Sequence, residues 1–229
     1  VQSLNRLIDN HSNSVLMSAL NWFAFTSLGL IPTLIIFTFL RELSLLPLNE
    51  ERRALTRNFF NIGALGLSSL FAAIGMVQAR QLPRVKRVSV PIEGLDPKLE
   101  GLKIAQLTDV HVGHTIRGDH ISAIVDLTNS LKPDIIALTG DLVDGLVSDL
   151  EPHVAVLKKL SAPYGKYYVT GNHEYYWGAA AWSQHLEKNL GFKYLANEHV
   201  SVPVNGKKVL IAGVTDLQGE HFSPLDKCD

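Results

Sequence analysis

Residues 10 to 40 contain no Asp, Glu, Lys or Arg, and no other feature narrows the fold of this chain so sharply. Within that run, "VLMSALNWFAFTSLGLIPTLIIFTFL" (15 to 40) exceeds the roughly 20 apolar residues that a helix needs to cross a bilayer. A second uncharged run, "NFFNIGALGLSSLFAAIGMVQA", covers 58 to 79. The buried hairpin of a helical domain has similar hydropathy, and Asn21 and Pro32 interrupt the first run. Pro is nevertheless tolerated in membrane helices, and Trp22 suits the interfacial belt. Both runs lie too deep in the chain, and are too long, to be cleaved signals. We therefore expect a membrane region over 1–84, with two transmembrane helices near 15–40 and 58–79, followed by a second domain over 85–229.

Charge divides the chain at the same place. The formal net charge of −1 hides +5 over residues 1–88 and −6 over 89–229. Arg41, Arg52, Arg53 and Arg57 lie between or beside the apolar runs, and Arg80, Arg84, Lys86 and Arg87 follow the second. Both groups claim the cytoplasmic side, so the positive-inside rule does not settle sidedness. The acidic remainder argues against nucleic acid as a partner. One cysteine, Cys228, excludes an internal disulfide.

After Val85 the pattern changes. "VKRVSVPI" (85 to 92) alternates like an edge strand, and "GLKIAQLT" (101 to 108) reads as a strand ending at Asp109-Val110-His111. Helical spacing follows over 119–131, with Pro133 just past its end. "DIIALTG" (134 to 140) reads as a buried strand ending at Asp141. A helix is expected over 151–160 with Pro152 in its first turn. "GKYYVTG" (165 to 171) reads as the next strand, ending at Asn172-His173-Glu174, and a helix over "AAAWSQHLEKNL" has Gly191 as C-cap. "VSVPV" and "KKVLIAGV" flank Asn205-Gly206, a strong hairpin signal.

Strands alternating with helices of this length imply βαβ units and a largely parallel sheet, whose ligands bind beyond the carboxyl ends of the strands. Asp109, Asp141 and Asn172 occupy three such ends, 32 and 31 residues apart. Divalent ions of the Mn, Fe and Zn group accept mixed carboxylate, imidazole and carboxamide oxygen ligands. Two such ions a few ångströms apart can clamp a phosphoryl group and activate a water. On an extended segment, Asp109 and His111 would face the same way and reach one ion.

"DVH" (109 to 111), "GDLVD" (140 to 144) and "GNHE" (171 to 174) resemble the first three signature blocks of the calcineurin-like metallophosphoesterases, in order and at similar spacing. The resemblance covers roughly 100–215. It implies an α/β/β/α sandwich, of which this chain would hold part, behind N-terminal transmembrane helices. It also implies two divalent metal ions, Mn, Fe or Zn. Asp109 and His111 would bind the first, Asp141 would bridge both and Asn172 would bind the second. His173 would be the catalytic residue, steadying or protonating the leaving oxygen.

The chain departs from the family pattern in lacking a later His and a Gly-His-x-His block. His185, His199 and His221 have no such context and are read as surface residues. The chain begins at Val1 and stops at Asp229, and is read as an incomplete copy of a longer protein, with little activity expected of it alone. Asp144 would orient the metal shell or serve as a loop acid or helix cap. Glu174 would bond His173 or stand in solvent. Tyr175, Tyr176 and Trp177 are read as packing before pocket wall. His114 and His120 are taken as surface residues, His114 being the better candidate for substrate contact. "ERRALTRNFF" resembles a twin-arginine export signal, which would leave Arg52 and Arg53 cytoplasmic and the second domain outside.

The expected function is hydrolysis of a phosphate ester, monoester or diester, by direct attack of water at a membrane-anchored binuclear site. Membrane location makes phospholipid or cell-envelope phosphate the plausible substrates. The competing reading is a truncated or degenerate domain that binds metal or phosphate without turnover.

Overall fold

The computed structural model describes residues 15–113 and 116–222, so His114 and Cys228 lie outside it. The chain forms two compact units, divided between Gln81 and Leu82.

The first unit is a pair of long helices, α1 (Val15–Leu45) and α2 (Glu50–Ala79). Both extend past the apolar runs, α1 through Arg41 and Glu42 to Leu45, because straight-chain residues continue a helix at little cost. Asn49 starts α2 by accepting the Arg52 amide at 3.0 Å, and Glu50 and Glu51 complement the positive helix end. Arg53 donates to the carbonyls of Leu45 and Leu46, both at 3.2 Å, satisfying acceptors at the end of α1. Leu45, Ala64 and Ser68 are buried between the helices, and the small pair four residues apart on α2 lets the backbones approach. At the other end Arg80 lies 4.8 Å over the Trp22 ring. Both helices are long and apolar enough to cross a membrane, and none of the most apolar stretch of α1 and 11% of that of α2 is buried. That exposure separates them from the core hairpin of a soluble domain.

The second unit is mixed α/β around a parallel sheet of β1 (Ile104–Leu107), β2 (Ile135–Thr139), β3 (Lys166–Val169) and β4 (Lys193–Tyr194), in that order. Helices α3 (Gly118–Ser130), α4 (Val147–Val154, continued by a 3-10 turn over Ala155–Lys159), α5 (Asn172–Trp177) and α6 (Ala179–Leu190) connect the strands. An antiparallel hairpin of β5 (Glu198–Val204) and β6 (Lys207–Gly213) follows.

The two-residue side-chain period of the strands feeds two cores. Ile136, Leu138 and Tyr168 face α3, α4 and α6 through Ile121, Val125, Leu150, Trp182 and Leu186. Ile135 and Tyr167 point the other way, onto Val202 and Val204 of the hairpin. Trp182, with no exposed surface, also donates its indole N–H to the Gly145 carbonyl at 3.0 Å, which ties α6 to the loop after β2.

Several expectations change. Residues 85–92 run extended and exposed without a ladder partner among the described residues, because alternation supplies a pleat but not a neighbouring backbone. Helix α4 begins at Val147, so Pro152 lies inside it rather than in its first turn. Proline offers no N–H to the carbonyl four residues back, and the helix tightens into the 3-10 turn soon afterwards. The short strand β4 had no periodic signal in its two residues. The hairpin turn has Asn205 and Gly206 both at left-handed φ, 50° and 78°, as a type I′ turn demands. His185 is buried, not superficial, beside the edge of Trp182 with ring centroids 5.9 Å apart, since it falls on the core-facing stripe of α6.

Candidate metal centre

Register fixes which residues meet. Leu107 is level with Leu138, and Leu138 with Tyr168, so β1, β2 and β3 end together and deliver Asp109, Asp141 and Asn172 to one edge. The three strand ends are then bound to each other. The amides of Asp109, His111 and Val112 donate to the carbonyls of Gly140, Asp141 and Leu142 at 3.3, 3.1 and 2.7 Å. The His173 amide donates to Asp141 Oδ1 at 3.0 Å.

Backbone conformation aims the side chains. Asp109, His111 and Asp141 have φ of 54°, 50° and 50°, the left-handed region that non-glycine residues enter rarely and mostly where a site requires it. Asp109 and His111 therefore do not sit on one face of an extended strand as the sequence suggests. They converge, His111 Nε2 to Asp109 Oδ1 4.0 Å, because two sharp turns follow the end of β1. Glycine is obligatory where the β2 and β3 ends touch. A Cβ on Gly140 would stand 2.5 Å from the Gly171 nitrogen, and one on Gly171 would stand 2.3 Å from Asp141 Oδ1.

Glu174 is fully buried and touches no solvent. It accepts the amides of Gly171 at 2.7 Å, Leu142 at 2.7 Å and Asp141 at 3.0 Å, so it binds the two turns to each other rather than bonding His173. Burial pushes its carboxyl up, and the three amides pull against that shift. Asn172, His173 and Glu174, expected in a loop, form the first turn of α5.

Asp144 joins two imidazoles. One oxygen bonds His173 Nδ1 and the other lies 3.2 Å from His111 Nδ1. A carboxylate only accepts, so the bonded His173 ring carries a proton on Nδ1 and presents Nε2 outward. The rings meet edge to face, centroids 4.5 Å apart.

Two trios bring potential ligand atoms within 4.8 Å of one another, namely His111, Asp144 and His173, and Asp109, His111 and Asp141. In the first, the carboxylate already serves both imidazoles. The second is the open one, with an exposed carboxylate, a free imidazole nitrogen and a second carboxylate. Asn172 extends it, because its carboxamide oxygen faces Asp141 Oδ2 and Oδ1 at 3.2 and 3.3 Å, acceptor against acceptor. A cation between them satisfies that arrangement, and so would an amide turned to point its nitrogen at Asp141. Two carboxylates, an imidazole and a carboxamide oxygen fit an ion of the Mn, Fe or Zn group.

The calcineurin-like phosphoesterase family profile matches residues 102–226, more than half of the chain. The chain belongs to the calcineurin-like phosphoesterase family. Its similarity extends to a Caenorhabditis elegans protein named as a metallophosphoesterase, 41% identical over 67% of this chain and 32% of the relative. The "Transmembrane protein with metallophosphoesterase domain" of Danio rerio is 34% identical over 68% of this chain and 36% of its own length. An uncharacterised metallophosphoesterase of Campylobacter jejuni is 31% identical over 71% and 42%. The chain thus spans about a third to two fifths of the length of these curated relatives.

All five expected phosphoesterase site residues, Asp109, His111, Asp141, Asn172 and His173, stand at this one edge. Of the residues weighed between roles, Asp144 proves to orient imidazoles. Its position three residues after Asp141 carried the signal. Tyr175 and Trp177 pack inward, Tyr175 stacking on Phe222 with centroids 5.5 Å apart. Tyr176 stays half exposed, 5.5 Å from the His173 ring. His120 is half-buried on α3, while His199 and His221 are exposed. Gln218, which bonds Tyr176, was not anticipated, since nothing local marks a contact across 42 residues.

Proposed function

We propose that this chain forms part of a membrane-anchored metallophosphoesterase that hydrolyses a phosphate ester by direct attack of water, with no covalent enzyme intermediate. The observation that carries the reading is the convergence of Asp109, His111, Asp141 and Asn172 on one edge of the sheet beside an Asp144–His173 pair. Asp109 and His111 would hold one divalent ion, Asp141 would bridge to a second, and Asn172 would ligate the second. Bound ions of this kind lower the pKa of water and offset charge on phosphoryl oxygens.

The remaining chemistry belongs to the chain's own side chains. His173 holds a proton at Nε2 for the leaving oxygen, and Asp144 on Nδ1 stabilises the charged ring and fixes its direction. Glu174 keeps the Asp141 and Asn172 turns at a constant separation.

Two spans, α1 and α2, anchor the domain in this reading, which the named transmembrane relatives from Danio rerio and Bos taurus support. The phosphoesterase domain then lies outside the cytoplasm, and phospholipid or cell-envelope phosphates are its substrates.

The test uses full-length protein freed of metal by chelation and assayed on chromogenic phosphate monoesters and diesters. Manganese should restore hydrolysis that Asp141→Asn does not recover. Equal turnover with and without metal would refute the metal-dependent reading, and no hydrolysis in either condition would favour a non-catalytic binding domain.

A further inference from the structure

Of the three aromatics that follow Glu174 on α5, Tyr175 and Trp177 pack inward, while Tyr176 is 49% exposed. It lies three residues beyond His173, so helical spacing puts the two on one face. Their ring centroids are 5.5 Å apart. Phe222, at the end of the 3-10 turn (Gly219–His221) that follows β6, comes to the same place and is 52% exposed. It meets Tyr176 edge to face with centroids 5.9 Å apart, and its stacking on the buried Tyr175 at 5.5 Å anchors it. Neither Tyr176 nor Phe222 belongs to either core. Two aromatic rings are thus left half in water, joined to each other and to His173, and exposed apolar clusters of this kind mark binding sites.

Position selects the occupant. Asp144 holds Nδ1 of His173, so a leaving oxygen must come to Nε2. Among the described residues the His173 ring touches two others, His111 of the candidate ligand set and Tyr176. The phosphoryl group belongs on the first side, and the group it parts from belongs on the second.

We propose that Tyr176 and Phe222 form a leaving-group subsite, and that the phosphate esters hydrolysed here carry an apolar alcohol or phenol as leaving group. The inference rests on the proposed role of His173 at the leaving oxygen. Ring faces favour carbon, through apolar area removed from water and, for an aryl group, ring-to-ring contact. In the reaction the oxygen of water bonds phosphorus and the P–O bond to the leaving group breaks. The freed oxygen takes the Nε2 proton, and the proton lost by water restores the ring.

The test uses full-length protein in lipid nanodiscs with manganese, and ethyl, butyl and 3-phenylpropyl phosphates, both as monoesters and as methyl diesters. The released alcohol is measured by gas chromatography. These alcohols have nearly equal acidity, so contact and not intrinsic reactivity separates them. In the wild type kcat/KM should be about 10-fold or more higher for the 3-phenylpropyl than for the ethyl ester, the discrimination expected of an apolar site. Phe222→Ala and Tyr176→Ala should each lower that ratio about 2- to 10-fold, the range of one aromatic contact. A gain shared by the butyl ester would identify any apolar chain as the group, and a gain confined to 3-phenylpropyl would identify an aromatic ring. Equal kcat/KM for the three leaving groups overturns the inference, as does a preference that both alanine variants leave unchanged. Absence of manganese-dependent release from every ester would instead overturn the phosphoesterase reading beneath it.

Discussion

The Asp144 carboxylate bonds Nδ1 of His173 with one oxygen while its other oxygen lies 3.2 Å from Nδ1 of His111. One acid thus lies against two imidazoles and hydrogen-bonds the ring of His173. Asp144→Asn replaces one of its two acceptor oxygens with an N–H group, so it can no longer accept at both positions. Turnover and manganese affinity should each fall about 10- to 100-fold, with the circular dichroism spectrum unchanged. Steady-state kinetics across pH should also show the His173-dependent limb altered, which mere loosening of the loop would not produce.

Asp141 is the bridging carboxylate in the proposed centre, and its Oδ1 also accepts the His173 amide. Asp141→Asn keeps the volume and one acceptor oxygen, so the fold should persist. Metal-dependent hydrolysis should fall to background. Near-normal turnover in this variant, assayed alongside a thermal melt, would sink the bridging assignment.

At Gly171, an added methyl would stand 2.3 Å from Asp141 Oδ1 and 2.6 Å from the Asp141 nitrogen. Neither neighbour can retreat, because the Asp141 amide is held by Glu174. Gly171→Ala should cost about 1–3 kcal/mol, the usual range for overpacking. Urea denaturation of the protein followed by tryptophan fluorescence would measure it.

Asp96, before β1, pairs with Lys207 at the start of β6 and accepts the Lys98 amide at 3.0 Å. The Lys207 contact, aided by that amide, holds the carboxyl below its ordinary value. A carboxyl lowered in the folded state adds stability that is fully present above its unfolded value and is lost as pH falls through the folded one. Melting temperature should therefore drop more steeply below about pH 4, the ordinary carboxylate range, in the wild type than in Asp96→Asn. Parallel curves for the two would remove the pair from the acid response.

Much of the second unit was legible because its signals are local. The short apolar runs "DIIALTG" and "GKYYVTG", bounded by glycine, mark strands whether or not their partners are known, and Asn205-Gly206 demands its turn through backbone sterics alone. The spacing of "DVH", "GDLVD" and "GNHE" by one βαβ unit likewise carries their coincidence at one edge, since parallel strands in register end together. Residues 85–92 show the limit of the same signal. Alternation there reads as an edge strand, yet a strand also needs a neighbouring backbone.

Glu174 and Asp144 mark where local reading stops. Both are acids in polar stretches, and sequence leaves each open between solvent and a partner. What separates them is distance across the chain. Glu174 meets amides more than 30 residues away and becomes a buried structural acid, while Asp144 meets His173 across 29 residues and becomes an orienting one.

The sequence by itself determined two membrane-length apolar helices, a parallel α/β unit, and the hard polar side chains at its strand ends that are proposed as ligands, because hydropathy, periodicity and turn chemistry act over a few residues. Only the tertiary structure decided how those ligands are aimed. Left-handed turns bring Asp109 and His111 together, close glycine contact seats Asp141 beside Asn172, and the buried Glu174 binds their two turns to each other. Each depends on atoms brought together by folding from distant parts of the chain, a separation that no local pattern encodes.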